Sequence, residues 1–200
     1  MSFLVFLTAA YFLGSIPFGL ITGRLVKRVD IREHGSKSIG ATNVFRVVGK
    51  GWGIAVMFLD ALKGYAAIFL PRLLTAQRPD LNILLLLGIA AICGHTFSCW
   101  IGFKGGKGVA TSLGVFLAIC PLPTLITFAL WGAVFAVTHI ISVSSLAASV
   151  AFPWVLIFTL DHEPGRGWLI LTGFLLMGFI FYTHRANLQR LVKKQEKPLF

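Results

Sequence analysis

The chain has 200 residues, 56% of them hydrophobic and only 12% charged, with a formal net charge of +11. A soluble domain carries about a quarter charged residues, so this composition excludes one: a chain this apolar has no surface to offer water. The positive charge does not indicate nucleic-acid binding, because no basic stripe with interleaved aromatics lies in a soluble segment; membrane topology accounts for it better.

Taken in chain order, apolar runs with polar breaks predict seven membrane spans, near residues 3–22, 52–70, 81–100, 109–120, 122–140, 146–160 and 168–182. The first run lacks a preceding basic residue and a small-residue cleavage pattern, so it is expected to be a retained span, not a signal peptide. Within it, Gly14, Ser15, Pro17, Gly19 and Gly23 favour close helix packing and a kink. The segment that follows carries HGSKSIGATNVFRVVGKGWG at residues 34–53. Its Ser36, Ser38, Thr42 and Asn43 can donate to phosphate or hydroxyl oxygens, and Arg46 offers a bidentate fork to a phosphate. Asp60 and Lys63, at i, i+3 spacing inside the second span, are expected to neutralise each other as a brace or a functional pair.

His95 ends the third span in the sequence GHTF, and GFKGGKGVATS follows at residues 102–112. There Gly105, Gly106 and Gly108 are expected to let backbone N–H groups approach an anion, with Lys104 and Lys107 adding charge and the next helix presenting its positive end. The spacing is not that of a Walker A loop. The run at 109–120 would rise only about 18 Å as a helix, short of a full crossing, and suits a re-entrant segment as well as a span. Ser142, Ser144 and Ser145 occupy a short connection before the sixth run, and Asp161, His162 and Glu163 read as a solvated outer loop. After the last span comes THRANLQRL at 183–191, where continued helix would place His184, Asn187 and Arg190 roughly along one face.

Charge sets the orientation. With seven spans and the N-terminus outside, every Lys and Arg apart from Arg72, Arg78, Arg166 and the intramembrane Lys63 falls on the cytoplasmic side. A six-span chain would place the basic C-terminal tail outside. With no internal repeat or interdomain linker, residues 1–200 are expected to form one all-α integral membrane domain with a cytoplasmic C-terminus.

The clusters therefore share one membrane face, rich in oxyanion donors and poor in acids: Asp30, Glu33 and Glu196 only. A Ser-His-Asp hydrolase lacks an obvious orienting acid there. None of the five histidines is followed five residues on by Asp, which excludes the His-x4-Asp dyad and calls for an already activated acyl donor if acyl transfer occurs. Cys93, Cys99 and Cys120 suggest neither a disulfide framework nor zinc, and no metal or cofactor is expected.

GSIPFG at 14–19, IGATNVFR at 39–46, FLDALKG at 58–64, GHTF at 94–97, FKGGKGVAT at 103–111 and HRANLQRL at 184–191 together resemble the bacterial acyl-phosphate:glycerol-3-phosphate acyltransferase family, in order and over nearly the whole chain. The resemblance implies a seven-helix inner-membrane enzyme, its site on the cytoplasmic side. It would transfer an acyl group from acyl phosphate to glycerol 3-phosphate, giving 1-acyl-glycerol 3-phosphate, the first acylation of phospholipid synthesis. It implies that Lys104, Gly105, Gly106 and Lys107 hold the acyl-phosphate head, and that Ser36, Arg46, His184 and Asn187 hold glycerol 3-phosphate. Lys104, Ser142, His184 and Asn187 are the catalytic candidates; Ser38, Thr42, Asn43, His95 and Gly108 complete the binding set. The partners expected are these two substrates and the lipid bilayer, with no nucleic acid, and a monomer is expected to suffice. The pattern departs from the family at Ser36-Lys37-Ser38, where Ser-Gly-Asn is usual, and at Ser98, where proline is common. A transporter or flippase for a phosphorylated metabolite is the rival reading, although such proteins tend to bind at the midplane between repeats. A structural subunit of a lipid-synthesis complex is a second rival, and it leaves FKGGKG unexplained.

Overall fold

The computed structural model describes residues 3–75, 79–160 and 164–200. Arg78 and the expected outer loop of Asp161, His162 and Glu163 lie outside the described residues. Within them the chain is all helical, in ten α-helices: α1 (Phe3–Ser15), α2 (Phe18–Thr22), α3 (Ala41–Val47), α4 (Lys50–Leu74), α5 (Leu81–Thr96), α6 (Val109–Ile119), α7 (Pro121–Thr138), α8 (Ile141–Thr159), α9 (Arg166–Thr183) and α10 (Arg185–Val192). Six stretches among the described residues are long and apolar enough to cross a membrane: Phe3–Lys27, Lys50–Leu74, Leu81–Ile101, Pro121–Thr138, Ile141–Thr159 and Arg166–Thr183. α6 is the short apolar helix that the sequence leads one to expect, rising about 16 Å.

The chain divides into two compact units, Met1–Ile119 and Cys120–Phe200. In the first, α1 packs on α5 and α4 on α6, and small residues explain the closeness. A side chain at Gly14 would strike the Ala91 carbonyl and one at Gly94 the Tyr11 carbonyl; Gly64 and Gly114 stand in the same relation to Thr111 and Ala61. Such contacts let backbones approach where lipid offers no hydrophobic drive for helices to associate. Arg72, in the last turn of α4, donates through Nη1 to the Ala118 carbonyl at 2.6 Å, satisfying an acceptor that α6 leaves open at its C-terminal end.

Pro17 separates α1 from α2, since proline lacks an N–H and disfavours helix in the residue before it. The first span then runs beyond the expected Thr22, through a π-helical turn at Gly23–Lys27. The long segment after it is not a plain loop. It contains α3 and closes over a core of Leu20, Ile31, Ile39, Val44, Val48 and Val56, with Phe18 and Ile101 packed against it. Lys27 caps the segment by donating to the Val47 carbonyl at 2.8 Å, so this lysine has a structural duty. Asp30 anchors the entry through Arg32 at 2.6 Å and Arg24 at 3.3 Å. The Arg32 guanidinium holds the Asp30 carboxyl well below its ordinary range.

In the second unit α8 packs against both α7 and α9. α9 ends at Thr183 and α10 begins at Arg185, so the helix does not continue unbroken: it is interrupted at His184, whose backbone leaves helical geometry at φ −95° and ψ 8°. The C-terminal tail folds back: the Leu199 N–H donates to the His139 carbonyl at 2.8 Å, and the Phe200 ring lies against His139 and Phe135.

Candidate active site

In the first unit the turn from Ser15 to Gly19 touches the first candidate phosphate segment and the turn that leads into the second. Ser98, fully buried, donates through Oγ to the Ser15 carbonyl at 2.6 Å. That bond needs a side-chain donor, which proline could not offer. Lys63 donates to the Ile16 carbonyl at 2.9 Å and stands over the Phe18 ring, while Gly19 lies against the Ile39 carbonyl.

Asn43 shapes the first segment. It is 1% exposed, its Nδ2 donates to the carbonyls of Ile31 at 2.7 Å, Ser38 at 2.8 Å and His34 at 3.1 Å, and its Oδ1 accepts from the Ser36 N–H at 2.8 Å. Expected as a substrate contact, Asn43 has its amide committed to the loop's own backbone. Around it Ser36 and Arg46 are exposed, Thr42 is half-buried, and Ser38 Oγ accepts from the Gly40 N–H at 3.2 Å. Lys37, standing where the family commonly has glycine, takes the left-handed conformation at φ 57°, which glycine adopts without steric cost.

The glycine-rich segment departs from expectation in mechanism. The Gly105 and Gly106 N–H groups do not face outward as an anion nest; they donate to the Thr96 and His95 carbonyls at 2.9 and 3.0 Å, binding the loop to the end of α5. Both residues are glycine because of crowding: a side chain at Gly105 would meet the His95 carbonyl, and one at Gly106 would meet His95 Nε2. Gly108, buried, turns the chain at φ 85° into α6. Lys104 is exposed and Lys107 half-buried, so the segment's outward chemistry is lysine charge on a backbone fixed from behind. His95 is 5% exposed, with Nδ1 at 3.6 Å from Asp60 Oδ1, and Asp60 pairs with Lys63 at 2.8 Å. The expected Asp60–Lys63 neutralisation is therefore present, and it reaches His95.

In the second unit Glu196 gathers Ser142, Asn187 and Arg190. Ser142 Oγ and Asn187 Nδ2 donate to Oε1 at 2.8 and 2.6 Å, and Arg190 Nε donates to Oε2. Burial works against ionisation of Glu196, but these donors outweigh it and hold its carboxyl below the ordinary value. Sequence reasoning noticed Glu196 only as a scarce acid and did not select it. Its isolation among the lysines of the tail was the available signal, since a lone carboxylate on a donor-rich face is where donors converge. His184 is 2% exposed and bonds through Nδ1 to the Ile180 carbonyl at 2.9 Å, which, with Nδ1 as donor, leaves Nε2 of the neutral ring as the acceptor.

Comparison with known proteins shows the family. The family model described as glycerol-3-phosphate acyltransferase matches residues 4–194. The glycerol-3-phosphate acyltransferase of Fusobacterium nucleatum subsp. nucleatum is 41% identical over 198 residues, covering 98% of this chain and 97% of the relative. That of Geobacillus kaustophilus is 44% identical over 190 residues, covering 95% and 92%. Among solved structures, the glycerol 3-phosphate form of PlsY, an integral membrane glycerol 3-phosphate acyltransferase, superposes with a TM-score of 0.89 at 36% identity, covering 99% of this chain and 96% of that one. Its lysophosphatidic acid form gives 0.86 at 35% identity, covering 99% and 95%. With helices, motifs and length all in agreement, the chain belongs to the glycerol-3-phosphate acyltransferase family.

Proposed function

We propose that this protein transfers an acyl group from acyl phosphate to the 1-hydroxyl of glycerol 3-phosphate, releasing phosphate and 1-acyl-glycerol 3-phosphate. The observation that carries the reading is that segment 36–46 packs through the Ile39 carbonyl on Gly19, while the turn leading into segment 104–108 bonds through Ser98 to Ser15, four residues earlier. Acyl phosphate is a mixed anhydride with a good leaving group, so positioning and charge stabilisation suffice and no strong base is demanded. Lys104 and Lys107 neutralise the acyl-phosphate head on the backbone of Gly105, Gly106 and Gly108, with His95 behind it. Ser36 and Arg46 take the phosphate of glycerol 3-phosphate, Ser38 and Thr42 its oxygens, and Asn43 keeps their loop in shape. In the second unit, His184 Nε2 offers a proton acceptor, a substrate phosphate oxygen being the alternative, and the Glu196 carboxylate holds the Ser142 and Asn187 side chains in place.

The acyl tail has a candidate berth along a shallow, open apolar groove lined by Leu7, Tyr11, Leu86 and Ile89 of α1 and α5. The Tyr11 hydroxyl donates to the Phe97 carbonyl at 2.7 Å, which ties the groove to the turn before the glycine loop. Moving the tail out of water into the groove yields about 0.8 kcal/mol per CH₂, as entry into the bilayer does. We further propose seven spans, α6 being the shortest, with the N-terminus outside. The whole chain works as one acyltransferase domain in the bacterial inner membrane, active as a monomer with its chemistry on the cytoplasmic side. The excess of Lys and Arg in the segments that orientation places inside supports it.

Purified protein incubated with palmitoyl phosphate and glycerol 3-phosphate should form the acylated product, and palmitoyl-CoA should not serve in its place. Failure with acyl phosphate defeats the reading, and uptake of glycerol 3-phosphate into sealed liposomes without acylation would favour a transporter. A near-normal rate in His184→Ala would leave the substrate phosphate as proton acceptor.

A further inference from the structure

Asp60 and Lys63 take no part in the substrate contacts proposed above, yet each is 3% exposed within a membrane helix, where an ion pair requires a reason. The pair faces two ways. Lys63 Nζ, 2.8 Å from Asp60 Oδ1, donates to the Ile16 carbonyl and so holds the turn that carries the first phosphate segment. Asp60 Oδ1 faces His95 Nδ1 at 3.6 Å, longer than a hydrogen bond but near enough for the carboxylate's charge to select which ring nitrogen carries hydrogen. In the neutral ring that places N–H on Nδ1 and leaves Nε2 as the bare edge. Nε2 is the atom that a side chain at Gly106 would strike, and the same histidine's carbonyl accepts the Gly106 N–H at 3.0 Å. A turn of the ring therefore moves the glycine loop.

We infer that Asp60 and Lys63 are positioning residues for acyl transfer: they fix the plane and tautomer of His95, and His95 in turn fixes the backbone that presents Lys104 and Lys107. The inference rests on the acyltransferase reading. A simple brace is the competing account, and the two differ in what happens when both charges are removed together. The double variant Asp60→Asn with Lys63→Met leaves no uncompensated buried charge, so it should fold. A brace alone predicts full activity once folding is preserved. Positioning predicts a protein that still folds, less stable only by the lost Lys63 bond to the Ile16 carbonyl, with a kcat lower by about tenfold or more, since a misplacement of about 1 Å can cost 10²-fold.

The second readout does not depend on activity. In protein labelled with ¹⁵N-histidine, with His95 assigned through the missing signal in His95→Gln, the wild type should show a protonated Nδ1 and a bare Nε2. The double variant should show the tautomers mixed. A folded double variant with wild-type kcat overturns the inference, and so does a wild-type His95 protonated on Nε2. Should the double variant not fold, the wild-type spectrum decides. Should the wild type lack acyl transfer, the functional reading fails by itself, and the spectrum still shows whether Asp60 governs His95.

Discussion

Replacing Asn43 by alanine tests whether the first phosphate segment is held from within. The two hydrogens on Nδ2 are shared among the carbonyls of Ile31, Ser38 and His34, and Oδ1 receives the Ser36 N–H. That is three bonds' worth, about 3 kcal/mol at about 1 kcal/mol each if nothing replaced them. His34 and Ser36 are exposed, so water satisfies them in the variant, whereas Ile31 is fully buried and its carbonyl loses its partner. The cost then settles near 2 kcal/mol, which raises the open population of the segment about thirtyfold. Hydrogen exchange on the detergent-solubilised protein should show amides of residues 31–43 exchanging faster by that factor, while α7 and α8 keep wild-type rates. Acyl transfer should fall in parallel. Asn43→Asp should be no better, because aspartate keeps the acceptor but sets a carboxylate against three carbonyl oxygens. Unchanged exchange in Asn43→Ala, or wild-type behaviour of Asn43→Asp, would refute the argument.

Glu196 gives an acid-side prediction. Its carboxyl is depressed in the folded protein, so its stabilisation is complete above the ordinary value of 4.5 and is lost as pH falls through the lower folded value. Thermal stability of the wild type should therefore drop below about pH 4.5 more steeply than that of Glu196→Gln, which is already weaker at pH 7; parallel curves would discard the role of the carboxylate. Lys37→Gly should stabilise the protein by about 1 kcal/mol in thermal unfolding, since it removes a side chain from a left-handed position. Gly106→Ala should lower kcat by about 10²-fold through displacement of the loop from His95, whereas Gly51→Ala, with open space around it, should leave activity unchanged.

Much of this was legible in the chain because the bilayer imposes simple rules. Apolar run length located the membrane helices, and the shortness of the run at 109–120 reappears in α6. What escaped was local backbone geometry. α3 was hidden in a polar segment whose helicity rests on the core of Ile31, Ile39 and Val44, three residues spread along it with no helical period of their own. For the glycine loop, the sequence left open why those residues are glycine. Glycines suit an anion nest and a tight packing contact equally well, and only the positions of the His95 and Thr96 carbonyls distinguish the two.

Sequence by itself determined the solvent, the helical class and the family, because hydropathy and motif order are properties of the linear chain. Tertiary structure decided the duties within the motifs. Asn43 serves its own loop, Ser98 bonds to Ser15, Glu196 collects Ser142, Asn187 and Arg190, and Asp60 reaches His95 across two helices. The physical reason is that a hydrogen-bond donor finds its acceptor by distance and direction, and neither is set until helices far apart in sequence have packed.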